Sequence, residues 1–370
     1  MKVKLLTLQC IKNYGSVLQT YATERLLSNF FGDVQTIQYI RKDSIDKDML
    51  NNWTAESTGI TRLIKKIVLF PMCNRYKKVF NSFLDKYVHL TEQVYYEDDD
   101  FKKYPLVADA YCVGSDQVWN SGWNQGILPA MYLEFAPDEA MKFAFCSSFG
   151  KTELSDRECK QIKPLLERLQ YITVRESTAL DVLKQVGIEG GKQLLDPTLL
   201  LPADFWKEIA APRMVKEDYV LVYQLNPNME FDQYAYEFAK RKGMKLVFLG
   251  MRINCLKKKG KVFLMPTVEE FLSLIQHASY VITDSFHGTA FSLNFNREVI
   301  DIYPSEFSTR LYSILKWAGI LSRHLNDFSN YAIADKPIDY DTINKKLEQE
   351  RKIAMEYLEV IVAEMKKKEE

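Results

Sequence analysis

The chain repeats one local pattern: a short apolar run ends in a small polar turn, and a helix-like stretch follows. The apolar runs cover residues 3–8, 34–39, 110–113, 142–147 and 171–174 in the first half, and 219–223, 245–249, 280–283 and 299–303 in the second. Runs this short, bounded by turn residues, suit strands buried on both faces of a parallel sheet. Between them, residues 16–30, 156–169, 231–241 and 267–278 carry helical periodicity. Thr267 with Glu270 three residues on reads as a capping box. The expected fold is therefore α/β, with two doubly wound, Rossmann-like domains facing a central cleft.

The Pro202–Arg213 stretch interrupts this rhythm, so the boundary is expected there: 1–203 as the first domain, 204–335 as the second. Residues 336–370 form a helical tail, with Ile343, Leu347, Ala354, Tyr357, Leu358, Ile361, Val362 and Met365 at spacings of three, four and seven.

Composition narrows the function. Lys plus Arg is 49 and Asp plus Glu is 49. Zero net charge argues against a partner that is nucleic acid held by charge alone. Aromatic residues make up 13% of the 370, so disorder is not expected. No apolar run reaches the roughly 18 residues of a membrane span. The start, from Met1 to Gln9, becomes polar too soon for a signal peptide, and a cytoplasmic protein is expected. The six cysteines form no Cys-x-x-Cys pair and no zinc-like cluster with histidine, so no metal is expected.

Four turns carry residues suited to chemistry. In Asp284-Ser285-Phe286-His287-Gly288-Thr289 a strand delivers polar groups to a helix start, where unpaired backbone N–H groups and the helix dipole favour an anion. Ser285 can cap that helix, Gly288 permits close backbone approach, and His287 can donate to a phosphate or transfer a proton. Lys12-Asn13-Tyr14-Gly15-Ser16 is a second loop of this kind, and it lacks the Gly-x-Gly-x-x-Gly of a dinucleotide site. In Gly114-Ser115-Asp116-Gln117-Val118-Trp119-Asn120, Asp116 can accept a proton from a sugar hydroxyl and Trp119 can stack on a sugar ring; a capped turn with a packing tryptophan is the bland alternative. Arg175, at the end of a strand, suits a phosphate or carboxylate, or else a salt bridge to Glu176 or another acid. Separately, residues 62–78 mix Lys65, Lys66, Arg75, Lys77 and Lys78 with Leu63, Ile64, Ile67 and Phe70. That pattern suits an anionic membrane surface, or an ordinary solvated helix face.

Taken together, Asn13-Tyr14-Gly15-Ser16-Val17-Leu18-Gln19, Gly114 to Asn120, Val174-Arg175-Glu176, Leu195-Asp196-Pro197-Thr198 and Asp284 to Thr289 resemble the polysaccharide pyruvyl transferase family, in order and rough spacing, over about residues 1–320. The resemblance implies a GT-B-like fold and transfer of the pyruvyl unit of phosphoenolpyruvate to a sugar of a cell-surface polysaccharide, such as exopolysaccharide or capsule, or of its lipid-linked precursor. The product is a cyclic ketal, and phosphate leaves. No cofactor is implied beyond phosphoenolpyruvate as co-substrate. On this reading His287 and Asp116 are catalytic. Arg175, Ser285, Gly288, Thr289 and Arg310 bind the donor. Asn13, Tyr14, Gly15, Ser115, Gln117 and Trp119 bind the saccharide acceptor. The first domain is the acceptor side and the second the donor side, and the enzyme works in the cytoplasm at the inner face of the membrane. One departure stands out: some pyruvyl transferases have Arg-Leu-His where this chain has Ser285-Phe286-His287. The competing expectations are a GT-B glycosyltransferase using a nucleotide sugar and a non-catalytic sugar-binding relative.

Overall fold

The structure, a computed structural model, describes residues 1–41, 44–304 and 309–369. It divides into two compact units. The first comprises residues 1–197 with 352–370, the second residues 198–351.

In the first unit seven strands form one parallel sheet: β1 (Lys2–Leu6), β2 (Asp33–Tyr39), β3 (Leu90–Tyr95), β4 (Ala110–Val113), β5 (Met141–Ser147), β6 (Tyr171–Val174) and β7 (Lys192–Gln193). Their order is β3-β2-β1-β4-β5-β6-β7. The centre is apolar because helices cover both faces; β4 and β5 are buried at every position. The edges differ. β3 places Glu92 and Gln93 outward and β7 is only two residues long, which suits strands with one unpaired side.

The second unit has a five-stranded parallel sheet: β8 (Tyr219–Tyr223), β9 (Lys245–Gly250), β10 (Lys261–Leu264), β11 (Tyr280–Thr283) and β12 (Glu298–Asp301), in the order β10-β9-β8-β11-β12. β8 is buried throughout and β10 is an edge. The capping box at Thr267 and Glu270 is present, each side chain accepting from the other's backbone N–H.

Two expected boundaries shift. The 203/204 division falls inside the second unit, which begins at Thr198 because Asn294 Nδ2 donates to the carbonyls of Thr198 and Leu201 at 2.9 and 2.8 Å. The tail is not a body of its own. Its helix, Tyr340–Glu369, belongs to the second unit up to Arg351 and to the first from Lys352. Arg351 Nε donates to the Leu199 carbonyl at 3.0 Å, whereas Tyr357 packs edge-on against Tyr171 of β6.

Candidate active site

A doubly wound sheet binds ligands beyond the carboxyl ends of its strands, where the strand order reverses. The reversal lies between β1 and β4 in the first unit and between β8 and β11 in the second. The turns singled out in the sequence lead away from strand ends around these two places.

In the first unit those turns converge on one buried polar network. Asn13 caps the helix Tyr14–Phe31 by accepting from Ser16 N at 2.7 Å. Ser16 Oγ donates to Asp116 Oδ2 at 2.7 Å, and Gln117 N donates to Asp116 Oδ1 at 2.8 Å. Asp116 has φ of 79°, the left-handed region that costs a non-glycine residue, so the surrounding bonds hold it there. Arg175 lies at the centre, with Nη2 donating to Asp116 Oδ1 at 3.2 Å, Nη1 to Asp196 Oδ2 at 2.9 Å, and Nε 3.5 Å from Glu176 Oε2. Its side chain is 1% exposed. Burial opposes the Arg175 charge, but Asp116, Asp196 and Glu176 outweigh that and raise its pKa above the ordinary value. Ser115 Oγ donates to the same Asp196 oxygen, and Ser148 Oγ donates to Glu176 Oε1.

This geometry carries the salt-bridge reading of Arg175. Its guanidinium faces three protein carboxylates and fixes the turns that bear them. Tyr14 is fully buried against Phe80. Trp119 is likewise interior, stacked on Tyr132, with its indole N–H given to the Met131 carbonyl at 2.9 Å. Both rings are packing groups as placed. Ser115 and Gly15 are buried as well, while Asn13 and Gln117 keep partial exposure. Trp123, not among the residues expected from the sequence, is 48% exposed on the same loop as Asn120. Its backbone N–H is held by Asn120 Oδ1 at 3.1 Å, so the ring stands on an anchored turn.

In the second unit Asp284 closes the reversal point. Its two oxygens accept from Leu225 N at 2.7 Å and Asn226 N at 2.8 Å, tying the turn after β11 to the turn after β8. Burial raises the Asp284 pKa, opposed by those two N–H donors. Ser285 caps the helix Phe286–Asn294 by accepting from Gly288 N at 3.3 Å. Gly288 is required by space. A Cβ there would lie 2.5 Å from Thr283 Oγ1 and 3.1 Å from Tyr223 Cδ1. Thr289 donates to Asp301 Oδ1 at 2.6 Å, so its hydroxyl is turned inward and away from any ligand.

His287 opens this helix, with its ring edge-on to Phe286 at 5.2 Å between centroids. The Arg310 guanidinium lies 5.9 Å from the same Phe286 ring. His287 and Arg310 thus both lie against Phe286, the first residue of this helix. Residues 305–308, between β12 and Arg310, lie outside the described residues.

Asp301 is the other residue the sequence did not flag. It is fully buried at the end of β12, and burial, reinforced by Asp284, pushes its pKa up to about 8 against the Thr289 hydrogen bond. At neutral pH its carboxyl is mostly protonated. A separate polar cavity of about 430 Å³, lined by residues including Arg213, His277 and Arg297, sits at the amino ends of β8, β11 and β12, away from this chemistry. The cysteines are free thiols, and among the described residues no group of His, Cys, Asp and Glu is arranged to hold a metal ion.

Two wholly parallel units, each with a polar turn at its strand-order reversal, define a GT-B-like α/β protein with two Rossmann-like units. Two solved structures share this fold. The UDP-GlcNAc 2-epimerase from Methanocaldococcus jannaschii is similar with a TM-score of 0.51 at 14% identity, over 92% of this chain and 93% of that one. The UDP-GlcNAc 2-epimerase from Neisseria meningitidis bound to UDP-GlcNAc has a TM-score of 0.50 at 11% identity, over the whole of both chains. At such identities the likeness is one of fold. No curated protein gives a match. The chain belongs to the polysaccharide pyruvyl transferase family, which it matches over residues 13–306, and it is accordingly a transferase.

Proposed function

We propose that the protein transfers the pyruvyl group of phosphoenolpyruvate to a sugar of a cell-surface polysaccharide or its lipid-linked precursor, with release of phosphate. The observation that carries the donor assignment is that His287 and Arg310 each lie against Phe286 at a helix start. Phosphoenolpyruvate bears a phosphate and a carboxylate, and a guanidinium and an imidazole at the positive end of a helix dipole suit both.

A proton adds to C3 of the enol, and C2 becomes cation-like. A sugar hydroxyl attacks C2, forming the first C–O bond. The C2–O bond to phosphate then breaks, and a second hydroxyl closes the cyclic ketal. Of the two hydroxyl protons, one makes good the proton taken up in forming the methyl group and the other leaves on phosphate.

His287 supplies the proton or anchors the phosphate that departs. Asp116, held by Ser16, Gln117 N and Arg175, orients or deprotonates the acceptor hydroxyl. Arg175 acts through Asp116 as a positioning residue. Asn13 and Gln117, with the exposed ring of Trp123, offer the acceptor its contacts. The first unit is then the acceptor side and the second the donor side. The buried Asp284–Asn226 clip and the Thr289–Asp301 bond keep the donor helix in place.

Thermal shift distinguishes this from a nucleotide-sugar glycosyltransferase. Stabilisation by phosphoenolpyruvate is expected, and stabilisation by nucleotide sugars alone would defeat the proposal. A non-catalytic sugar-binding protein would show no phosphate release with any acceptor.

A further inference from the structure

The helix Gly59–Tyr87 has two halves that differ in what they touch. Its second half packs, with Met72, Cys73, Val79, Phe80, Phe83 and Leu84 buried. From Thr58 to Pro71 no residue is buried. This half is nevertheless apolar along one side. Ile60 is 76% exposed, Leu63 58%, Ile64 55% and Ile67 67%. They recur at i, i+3, i+4 and i+7, which places them on a single stripe, and Val68 and Phe70 widen it. At about 100° per residue, Arg62, Lys65 and Lys66 fall on the opposite side.

An uncovered stripe of this kind calls for a partner. The charge identifies which one. Between Glu56 and Asp85 the sequence has no acid, but it has Arg62, Lys65, Lys66, Arg75, Lys77 and Lys78. This basic stretch lies in a chain whose total charge is zero. A second copy seated on the stripe would bring like charges together. Among the described residues no helix is long and apolar enough to cross a membrane. An anionic bilayer surface satisfies both faces: the acyl boundary receives the apolar stripe, and the headgroup phosphates receive the cations, which extend past the stripe on flexible stems.

We propose that residues 58–71 form an interfacial helix that seats the protein on an anionic lipid bilayer, with Ile60, Leu63, Ile64 and Ile67 in the acyl boundary and Lys65 and Lys66 at the headgroups. The proposal stands apart from the pyruvyl-transfer reading, because the helix contains none of the residues assigned to that chemistry.

The test uses the full chain in flotation with phosphatidylcholine vesicles, either pure or containing roughly one third phosphatidylglycerol. Binding to the anionic vesicles and weakening by salt are expected. The double variant Lys65→Gln, Lys66→Gln should bind roughly 30-fold more weakly, at about 1 kcal/mol per cation near the surface. Ile64→Glu, Ile67→Glu should abolish binding. Lys65, Ile64 and Ile67 are exposed and Lys66 is half-buried, so circular dichroism and thermal stabilisation by phosphoenolpyruvate should match the unaltered protein. Equal binding to both vesicle types, or undiminished binding by either variant, overturns the proposal. So does a dimer in size-exclusion chromatography that the isoleucine variant dissociates without any vesicle binding; the stripe would then be an interface between copies.

Discussion

Thr289, on the helix that His287 opens, donates its hydroxyl hydrogen to Asp301 at the end of β12 over 2.6 Å. Asp301 Oδ2 has no partner among the described residues and no access to water. The pair therefore fixes the helix to the neighbouring strand through a carboxyl that is mostly neutral at pH 7.

That neutrality makes stability depend on pH. The native pKa, about 8, lies above the usual 3.8. The native state therefore holds the proton more tightly than the unfolded chain. The contribution is fully present below the usual value and is lost as pH rises toward about 8, at about 1.4 kcal/mol per pH unit. Asp301→Asn keeps the acceptor for Thr289 and removes the titration. Between about pH 5 and about pH 7, denaturant unfolding should show the unaltered protein losing on the order of 1–3 kcal/mol relative to Asp301→Asn. Parallel pH profiles would show that Asp301 is not a buried neutral acid.

Arg175→Ala should be far more damaging than a surface change. It leaves Asp116, Glu176 and Asp196 without their common cation, and breaking a buried pair from one side costs about 3–5 kcal/mol. Urea unfolding measures this directly. A loss below about 1 kcal/mol, within the range of exposed pairs, would mean that the network does not hold the turns together.

Gly288→Ala tests the fit of the helix Phe286–Asn294. The new Cβ meets Thr283 Oγ1, which already donates to the Tyr223 carbonyl and accepts from Ser285 N. Overpacking of this kind costs about 1–3 kcal/mol. Adding Thr283→Ala, which removes the obstructing oxygen, should recover part of that loss, so the two effects should not add.

The two tryptophans of the β4 loop should separate cleanly. Trp119→Ala opens the core and should cost about 3–5 kcal/mol. Trp123→Ala should change stability by no more than about 0.5 kcal/mol and raise KM for the acceptor. If Trp123→Ala leaves acceptor KM unchanged, its ring does not contribute to the sugar site.

The parts of the fold legible in the sequence are the ones buried on both faces. β4, β6, β8 and β11 fall on the expected residues because a central parallel strand is a plain apolar run with a turn at each end. β3 is not legible, since an edge strand carrying Glu92 and Gln93 has no such run, and β10 is hidden beside a lysine-rich stretch that reads as loop. The chemically suggestive turns were also visible, but not which side chains they turn inward. Nothing local shows that Trp119, Tyr14 and Thr289 face the interior or that Arg175 meets Asp196; those facts arise from how distant segments pack. Asp301 gave only the faint signal of an acid closing a buried strand.

The most direct test follows phosphate release from phosphoenolpyruvate and the mass of a glycan acceptor together, in the unaltered protein and in His287→Ala. One phosphate is expected for each pyruvyl ketal gained, with a rate at least about 100-fold lower in His287→Ala, the scale of a lost general acid. Ketal formation at the unaltered rate in His287→Ala, or turnover only with a nucleotide sugar and no phosphate from phosphoenolpyruvate, would contradict the proposed function.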